Sequence, residues 1–139
     1  MPLVSVLATG GTIASRSGTG GAKAKDSGDD LVGRLHLPAG IGIRVRDVVR
    51  VGGFRMTLDR VHEVATAVAA QLRDEAVAGV VITHGTDTIE ETAFFLDLFH
   101  GDSRAVVVTG AQRAADAPDT DGPRNLADAI TAAAAPETR

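Results

Sequence analysis

Of the large aromatic residues this 139-residue chain has only phenylalanine, with four copies, and it has no tyrosine, tryptophan or cysteine. Without cysteine, the sequence excludes disulfides, a thiolate nucleophile and thiolate metal ligands. This composition is typical of proteins from a reducing compartment, and we expect a cytoplasmic location. The shortage of aromatic rings also argues against a surface that stacks nucleic-acid bases.

Excess basic charge and long apolar runs are also missing. The formal net charge is -4 at pH 7, so the sequence shows no basic footprint for nucleic acid or an anionic membrane. No apolar run approaches the ~20 residues that span a bilayer, and the first residues do not resemble a signal peptide. We expect a single domain over residues 1–139 with a small-molecule partner, and neither nucleic acid nor membrane as a partner.

The sequence does contain an alternation of apolar runs and helical patterns. Continuous apolar runs predict buried strands at 3–8, 79–83 and 105–109, and the apolar residues between 43 and 51 predict a further strand or strand pair. Between them, apolar spacings of three and four predict helices. This alternation predicts an α/β fold with a parallel sheet and helices on both faces.

The helix boundaries are suggested by capping residues. Thr57 is placed as the N-cap of a helix through position 72, and Thr88 with Glu91 forms a capping-box pattern that opens a helix ending near Phe99. An alanine-rich helix is predicted from about Arg124 to position 134. The acidic residues of the second helix are interpreted as favourable charge at a helix start.

Two segments do not fit this pattern. Residues 16–30 are rich in Gly, Ser, Lys and Asp, and with so few apolar residues they predict a mobile loop. At the other end, residues 136–139 stand where a further strand would be expected, and a four-strand sheet would leave an open edge. We therefore expect the chain to be a fragment or a truncated product.

Hydroxyl and glycine residues follow two of the predicted strands. The first strand runs into TGGT, which ends at Thr12, and the strand at 79–83 runs into HGTDT, which contains Thr86 and Asp87. Open α/β sheets bind ligands at the carboxyl ends of their strands, so these side chains predict a site with a hydroxyl nucleophile. Turn and cap roles are the alternative, because Thr, Asp and Gly are common in turns.

Gly10 and Gly11 permit a close approach to the backbone and are expected to leave amide donors free. That feature also suits a flavodoxin-like module that binds a nucleotide or phosphate. The G-x-G-x-x-G spacing of dinucleotide sites is absent, however, which makes this the weaker interpretation.

Neither a metal nor a cofactor is predicted. His84 has no second ligand at metal spacing and is interpreted as a packed, hydrogen-bonded histidine. The cluster of Asp116, Asp119 and Asp121 could bind a cation, but Pro118 and Pro123 favour a solvated turn.

The runs VLATGGTIA at 6–14 and GVVITHGTDTI at 79–89 resemble the two motifs of the bacterial-type L-asparaginase/glutaminase family. The runs EETAFFLDL, TGAQR and DGPRN continue the resemblance in the family's order. The resemblance covers nearly the whole chain but only the first part of the family's larger amino-terminal domain. It implies a flavodoxin-like α/β fold that is an incomplete amino-terminal domain of an asparaginase.

The resemblance also implies a reaction. It is the hydrolysis of L-asparagine, with L-glutamine as a second candidate substrate, through a threonine acyl-enzyme and without a cofactor. Thr12 matches the nucleophile, Thr86 matches the second catalytic threonine, and Asp87 matches the acidic partner that also holds the substrate's amino group. Full-length relatives would form a homodimer or homotetramer.

Further positions match the family's substrate-binding residues. Gly11 and Gly85 fall within the two motifs, and Ala111 matches a position whose backbone lines the side-chain amide pocket. Gly53 and Phe54 stand where the family has a polar pair that holds the substrate's α-carboxylate. Restoring a hydroxyl with Gly53→Ser is therefore expected to lower KM for asparagine.

Other departures concern catalysis. The family's loop tyrosine is absent, and its catalytic lysine lies on a strand beyond residue 139, whereas the chain's only lysines are Lys23 and Lys25. The family's carboxy-terminal domain is absent as well. A catalytically inactive homologue that at most binds a small amino acid is therefore the alternative to an active amidohydrolase.

Overall fold

The computed structural model describes residues 1–37 and 39–138; Pro38 and Arg139, both in the expected domain, lie outside the described residues. Its elements in chain order are β1 (Leu3–Gly10), β2 (Ser15–Arg16), β3 (Lys23–Ala24), α1 (Gly28–Val32), β4 (Gly42–Val51), α2 (Leu58–Leu72), β5 (Val77–Thr83), α3 (Ile89–Phe99), β6 (Ala105–Thr109) and α4 (Gly122–Ala134). Short 3-10 helices, Thr12–Ala14 and Gly53–Arg55, follow β1 and β4.

The main sheet of the described residues has four parallel strands in the order β4-β1-β5-β6. Val6 at its centre pairs with Val45 on one side and with Val81 on the other. The chain leaves β1 for one neighbour and later returns to the opposite side, so the strand order reverses between β1 and β5. This is the flavodoxin-like arrangement, and ligands bind at such reversals.

Helices cover both faces of the sheet, which confirms the predicted α/β architecture. On one face, α1 and α4 pack over a core that includes Val4, Val6 and Ile130. On the other, α2 and α3 pack over Leu7 and its neighbours. Strands buried on both sides have no solvent-facing positions, which is why they appear in the sequence as continuous apolar runs.

The segment predicted as a mobile loop contains regular structure, so the loop assignment is wrong for the residues of β2, β3 and α1. Strands β2 and β3 form an antiparallel pair, and α1 begins with a capping box between Ser27 and Asp30. Asp26 is buried, with carboxylate oxygens 2.5 Å from Arg16 and 2.7 Å from Arg34. Polar contacts hold these elements in place, and such contacts leave no apolar periodicity in the sequence.

The helix boundaries agree with the sequence in most respects. Thr57 caps α2 by accepting a hydrogen bond from the amide of Arg60, and α3 ends at Phe99 as predicted. The helix α4 begins two residues earlier than expected, with Pro123 in its first turn, where a missing amide hydrogen costs nothing. The apolar residues between 43 and 51 form one strand, β4.

The capping box predicted for Thr88 is not formed, although Thr88 is the residue before α3. Its hydroxyl makes no cap hydrogen bond, and its backbone, at φ -138° and ψ 24°, lacks the extended conformation usual at an N-cap. The hydroxyl instead donates to the carbonyl of Gly53 at 2.9 Å. A hydrogen bond to Gly53, which is distant in the sequence, therefore replaces the expected hydrogen bond within the helix.

Residues 1–37 and 39–138 contain neither a membrane-spanning helix nor a metal-binding cluster of side chains. None of the helices there is long and apolar enough to cross a membrane. Nor do three or more His, Asp or Glu side chains in these ranges cluster closely enough to hold a metal ion.

Candidate active site

The chain turns sharply at the end of β1 through two glycines. Gly10 and Gly11 have φ of 98° and 77°, in the left-handed region that favours glycine. A Cβ atom on Gly10 would lie 2.4 Å from the carbonyl oxygen of Val51. The Gly11 amide donates to that same oxygen at 2.8 Å, so it is not free to bind a ligand, contrary to expectation. The turn directs the chain into the short helix that begins with Thr12.

Three glycines from three loops lie in direct backbone contact. A Cβ atom on Gly11 would be 2.5 Å from the amide nitrogen of Gly85, and one on Gly85 would be 2.5 Å from that of Gly53. No larger residue fits between these backbones without displacing them. The loops after β1, β4 and β5 are thereby held together, and each carries a predicted site residue.

Two hydroxyl groups fasten this arrangement. Ser15, which is buried, donates to the carbonyl of Gly11 at 2.8 Å. Thr88 donates to the carbonyl of Gly53 at 2.9 Å. Both carbonyls belong to the stacked glycines, so these bonds fix the turns that carry Thr12 and Phe54.

A cleft of about 580 Å³ opens above the glycines, within the size range of small-molecule sites. Five of the eight predicted site residues line it, namely Gly11, Thr12, Gly53, Phe54 and Asp87. Thr12 is half-buried, whereas Asp87 and Phe54 are exposed. The structure therefore brings the first threonine and the carboxylate to one cavity at the carboxyl edge of the sheet.

The other three predicted residues do not line this cleft. Gly85 is buried between Gly11 and Gly53. Thr86 is half-buried, with its methyl group packed against Gly110. Ala111 is only 2% exposed and contacts Gly122. They lie under or beside the cleft, in the loops after β5 and β6.

The loop after β6 is held by Asp121 and Asn125. The Asn125 side-chain amide donates to the carbonyl of Gly110 and to Asp121, each at 3.0 Å. Asp121 also accepts from the amides of Gln112 and Arg113, and these hydrogen bonds hold its pKa below the ordinary value. Because Gly110 packs against Thr86, this network supports the position of that threonine.

The predicted acidic cluster is divided among separate partners. Asp119 forms an ion pair with Arg113, Asp116 accepts from the amide of Ser17 at 2.9 Å, and Asp121 binds the loop amides. Each carboxylate thus has its own structural contact, in agreement with the turn interpretation.

His84 is fully buried and hydrogen-bonded on both ring nitrogens, as predicted. Its Nδ1 lies 2.8 Å from the carbonyl of Gly85, and its Nε2 lies 2.8 Å from the hydroxyl of Thr92. Because a carbonyl only accepts, we place the proton on Nδ1, and Nε2 accepts from Thr92. Burial lowers the pKa of His84, which favours this neutral form.

Three cations that the sequence did not single out as site residues line the cleft, namely Lys23, Arg50 and Arg55. Arg55 directly follows the predicted Gly53 and Phe54, so its position in the chain was the available signal. Lys23 reaches the cleft because β3 pairs with β2, which follows the Thr12 helix. Together with Asp87, these residues give the charged lining an excess of positive charge.

The fold and the cleft define a flavodoxin-like α/β domain with a hydroxyl and a carboxylate at its strand-order reversal. Comparison with known proteins then gives the family. Residues 3–139 match the family model described as "Asparaginase, N-terminal". The chain belongs to the asparaginase family.

Relatives and a solved structure agree with this assignment. The chain is 38% identical over 138 residues to an L-asparaginase of Bacillus licheniformis, covering 98% of this chain and 43% of the relative. It is 36% identical to L-asparaginase 2 of Bacillus subtilis, covering 100% and 39%. A probable cytoplasmic L-asparaginase from Campylobacter jejuni superimposes with a TM-score of 0.88 at 33% identity, covering 100% of this chain and 42% of that one. The chain thus spans about two fifths of the length of these proteins.

Proposed function

We propose that this chain is the amino-terminal, nucleophile-bearing part of an amidohydrolase that converts L-asparagine into L-aspartate and ammonia. L-Glutamine is a second candidate substrate. The observation that supports this proposal best is the shared cleft: Thr12 after β1 and Asp87 after the neighbouring β5 open into one cavity. Similarity to named L-asparaginases over nearly the whole chain supports the choice of reaction.

In the first step, the Thr12 hydroxyl attacks the carbonyl carbon of the substrate's side-chain amide. A C–O bond forms, the C–N bond breaks, and the leaving nitrogen takes up the hydroxyl proton and departs as ammonia. A threonine hydroxyl is a weak nucleophile until a base accepts its proton. The tyrosine that assists in the family is absent from this chain, so another group must fill that role.

In the second step, water adds to the threonine ester, the C–O bond to Thr12 breaks, and aspartate is released with the hydroxyl restored. Thr86 is proposed to orient this chemistry from its half-buried place beside Gly110. The lysine that would act with Thr86 is expected, from the resemblance, beyond residue 139.

The remaining proposed residues hold the substrate. Asp87 lies exposed in the cleft and suits an ion pair with the substrate's ammonium group. Gly11 and Gly53 present backbone next to it, and Phe54 forms the rim. Gly85 and Ala111 are assigned supporting places behind the cleft, since they are buried.

Location and assembly are further parts of the proposal. A cytoplasmic enzyme fits the absence of cysteine, although one relative is named a probable periplasmic L-asparaginase of Haemophilus influenzae. A homodimer or homotetramer of the full-length protein fits the exposed side chains of Phe94, Leu98 and Phe99 on α3. Such apolar side chains on one helix are typical of contact surfaces.

A catalytically inactive homologue that only binds a small amino acid is the alternative. It is favoured by the missing tyrosine and by the absence of Thr86 from the cleft lining. The nucleotide-binding alternative is weakened by the Gly11 amide, which is already bonded to Val51.

Thermal unfolding of the purified chain with ligands tests the proposed substrate class. We expect L-asparagine and L-aspartate to raise Tm, because a ligand at a hundred times its Kd adds about 2.7 kcal/mol to stability. Nucleotides should not. Asp87→Ala should abolish the protection, and Asp97→Ala, which changes an exposed carboxylate on α3, should preserve it. Protection by nucleotides, or by none of these ligands, would contradict the proposal.

A further inference from the structure

The cleft contains more positive charge than the proposed chemistry has so far used. Its charged lining consists of Lys23, Arg50 and Arg55 against the single carboxylate of Asp87. An α-amino acid bears an ammonium group and a carboxylate on the same carbon atom. If Asp87 holds the ammonium, the carboxylate on the same carbon atom lies close to Asp87, and a cation there would pair with it, since a charge that becomes buried on binding is costly without a charged or hydrogen-bonding partner.

Arg55 stands on the turn that touches Asp87. The 3-10 helix Gly53–Arg55 begins with Gly53, and a Cβ atom built there would lie 2.8 Å from a carboxylate oxygen of Asp87. Arg55 is two residues further along the same turn and lines the same cleft. The turn itself is held, since the Gly53 carbonyl accepts from Thr88 and the Arg55 carbonyl accepts from the guanidinium of Arg60.

The guanidinium of Arg55 is oriented by a ring and not by a carboxylate. It lies 5.5 Å from the centre of the Phe54 ring, in cation–π contact. No acidic side chain in residues 1–37 and 39–138 forms an ion pair with it. Phe54 is 75% exposed, so the ring adds nothing to the core and serves as a platform at the rim.

The other two cations of the cleft are less suited to the carboxylate. Arg50 forms an ion pair with Asp47 at 3.4 Å. Lys23 is an exposed residue of β3, which pairs with β2 and is separate from the turn that contacts Asp87. A lysine also offers a single point of charge, whereas arginine binds a carboxylate with two parallel hydrogen bonds.

We propose that Arg55, supported by the ring of Phe54, binds the α-carboxylate of the amino-acid ligand and so determines specificity at this site. This inference rests on the proposed function, in which the cleft takes an α-amino acid. It explains how the site works with Gly53 and Phe54, which offer no polar side chain. The charged side chain of Arg55 takes the place of the neutral polar pair that the resemblance leads one to expect at positions 53 and 54.

Titration of the purified 139-residue chain, followed by NMR, tests the proposal with two ligands. L-Asparagine carries the α-carboxylate, and its α-amide replaces that group with a neutral amide. The parent chain should prefer L-asparagine. In Arg55→Gln the affinity for L-asparagine should fall about ten- to a hundred-fold, as expected for a lost hydrogen bond to a charged group, while the affinity for the α-amide stays within a few-fold. Arg55→Lys should give an intermediate loss.

Matched variants distinguish the possible outcomes. Arg46→Gln removes the same charge from an exposed residue of β4 that does not line the cleft, and it should retain the preference. If Lys23→Gln or Arg50→Gln loses the preference for L-asparagine and Arg55→Gln keeps it, a different cation binds the carboxylate. The inference about Arg55 then fails, while the proposed function stands. A parent chain that binds L-asparagine and its α-amide equally also overturns the inference about Arg55 and leaves the proposed function standing. A parent chain that binds neither overturns the proposed function with it.

Discussion

Thr88 and Gly53 are 35 positions apart in the chain, yet the hydroxyl of Thr88 donates a 2.9 Å hydrogen bond to the carbonyl of Gly53. The bond joins the loop after β5 to the turn after β4. Asp87 precedes the donor, and Phe54 and Arg55 follow the acceptor. The bond therefore helps the stacked glycines hold the segment that carries Asp87 against the turn that carries Phe54 and Arg55.

Thr88→Val tests this relationship. The change keeps the shape of the side chain but leaves the carbonyl of Gly53 without its donor. We expect a loss of about 1 kcal/mol of folding stability, measured by urea unfolding, and weaker binding of L-asparagine. Thr66→Val, at an exposed position of α2, is the control and should leave binding unchanged. Unaltered binding in Thr88→Val would mean that the glycine stack alone fixes the turn.

Gly53→Ser should impair the site, and here the structure reverses the expectation from sequence. A Cβ atom at this position would meet a carboxylate oxygen of Asp87 at 2.8 Å and the backbone of Gly85 at 3.1 Å. The added side chain would displace Asp87, so we expect weaker binding of L-asparagine in a calorimetric titration. Gly101→Ser, where a Cβ atom has open space, is the matched control. Tighter binding by Gly53→Ser would restore the original expectation.

The proposed role of Thr12 as the nucleophile is tested in the full-length protein. Thr12→Ala removes the attacking oxygen and should lower kcat by several orders of magnitude, as loss of a nucleophile does elsewhere. Thr12→Ser keeps a hydroxyl and should retain part of the activity, with Thr131→Ala on the exposed side of α4 as control. If Thr12→Ala keeps a turnover rate within a few-fold of the parent, Thr12 is not the nucleophile and has only a structural role in the turn.

The 139-residue chain by itself should not turn over L-asparagine at an enzymatic rate. It lacks the tyrosine of the family pattern, its only lysines are Lys23 and Lys25, and Thr86 is not part of the cleft lining. An ammonia-release assay should stay far below the roughly 1–10³ per second of typical enzymes. A rate inside that range would show that the described residues suffice for catalysis.

His84 should make stability depend on pH. Burial lowers the pKa of His84 from its ordinary 6.5, so the unfolded chain binds a proton here at a higher pH than the folded chain does. Stability from this group is complete above about pH 6.5 and declines as the pH falls below that value. Urea unfolding between pH 7.5 and about pH 5 measures the slope.

His84→Gln should reduce that slope, because the titrating ring is gone. His62→Gln, at an exposed position of α2, should keep the slope of the parent. The same slope in both variants and the parent would show that other groups account for the pH dependence. His84→Gln should also be less stable throughout, since the hydrogen bonds to Gly85 and Thr92 depend on the ring.

The amino-acid sequence by itself determined the sheet, its helices and the region of the site. Continuous apolar runs are typical of strands covered on both faces, so β1, β5 and β6 could be found from local composition. The carboxyl ends of β1 and β5 lead into the segments that carry Thr12, Thr86 and Asp87. Parallel strands place such ends at one edge, and the sharing of a cleft by Thr12 and Asp87 follows from that rule.

Only the tertiary structure decided which groups face the cleft. Thr86 lies against Gly110, Thr88 bonds to Gly53 in place of its own helix, and Arg55 joins the lining beside Phe54. Each outcome depends on contacts between loops that are far apart in the chain. The local sequence specifies which hydrogen-bond donors and acceptors are available. The packing of the Gly11, Gly53 and Gly85 backbones brings the loops together and so determines which of these groups come into contact.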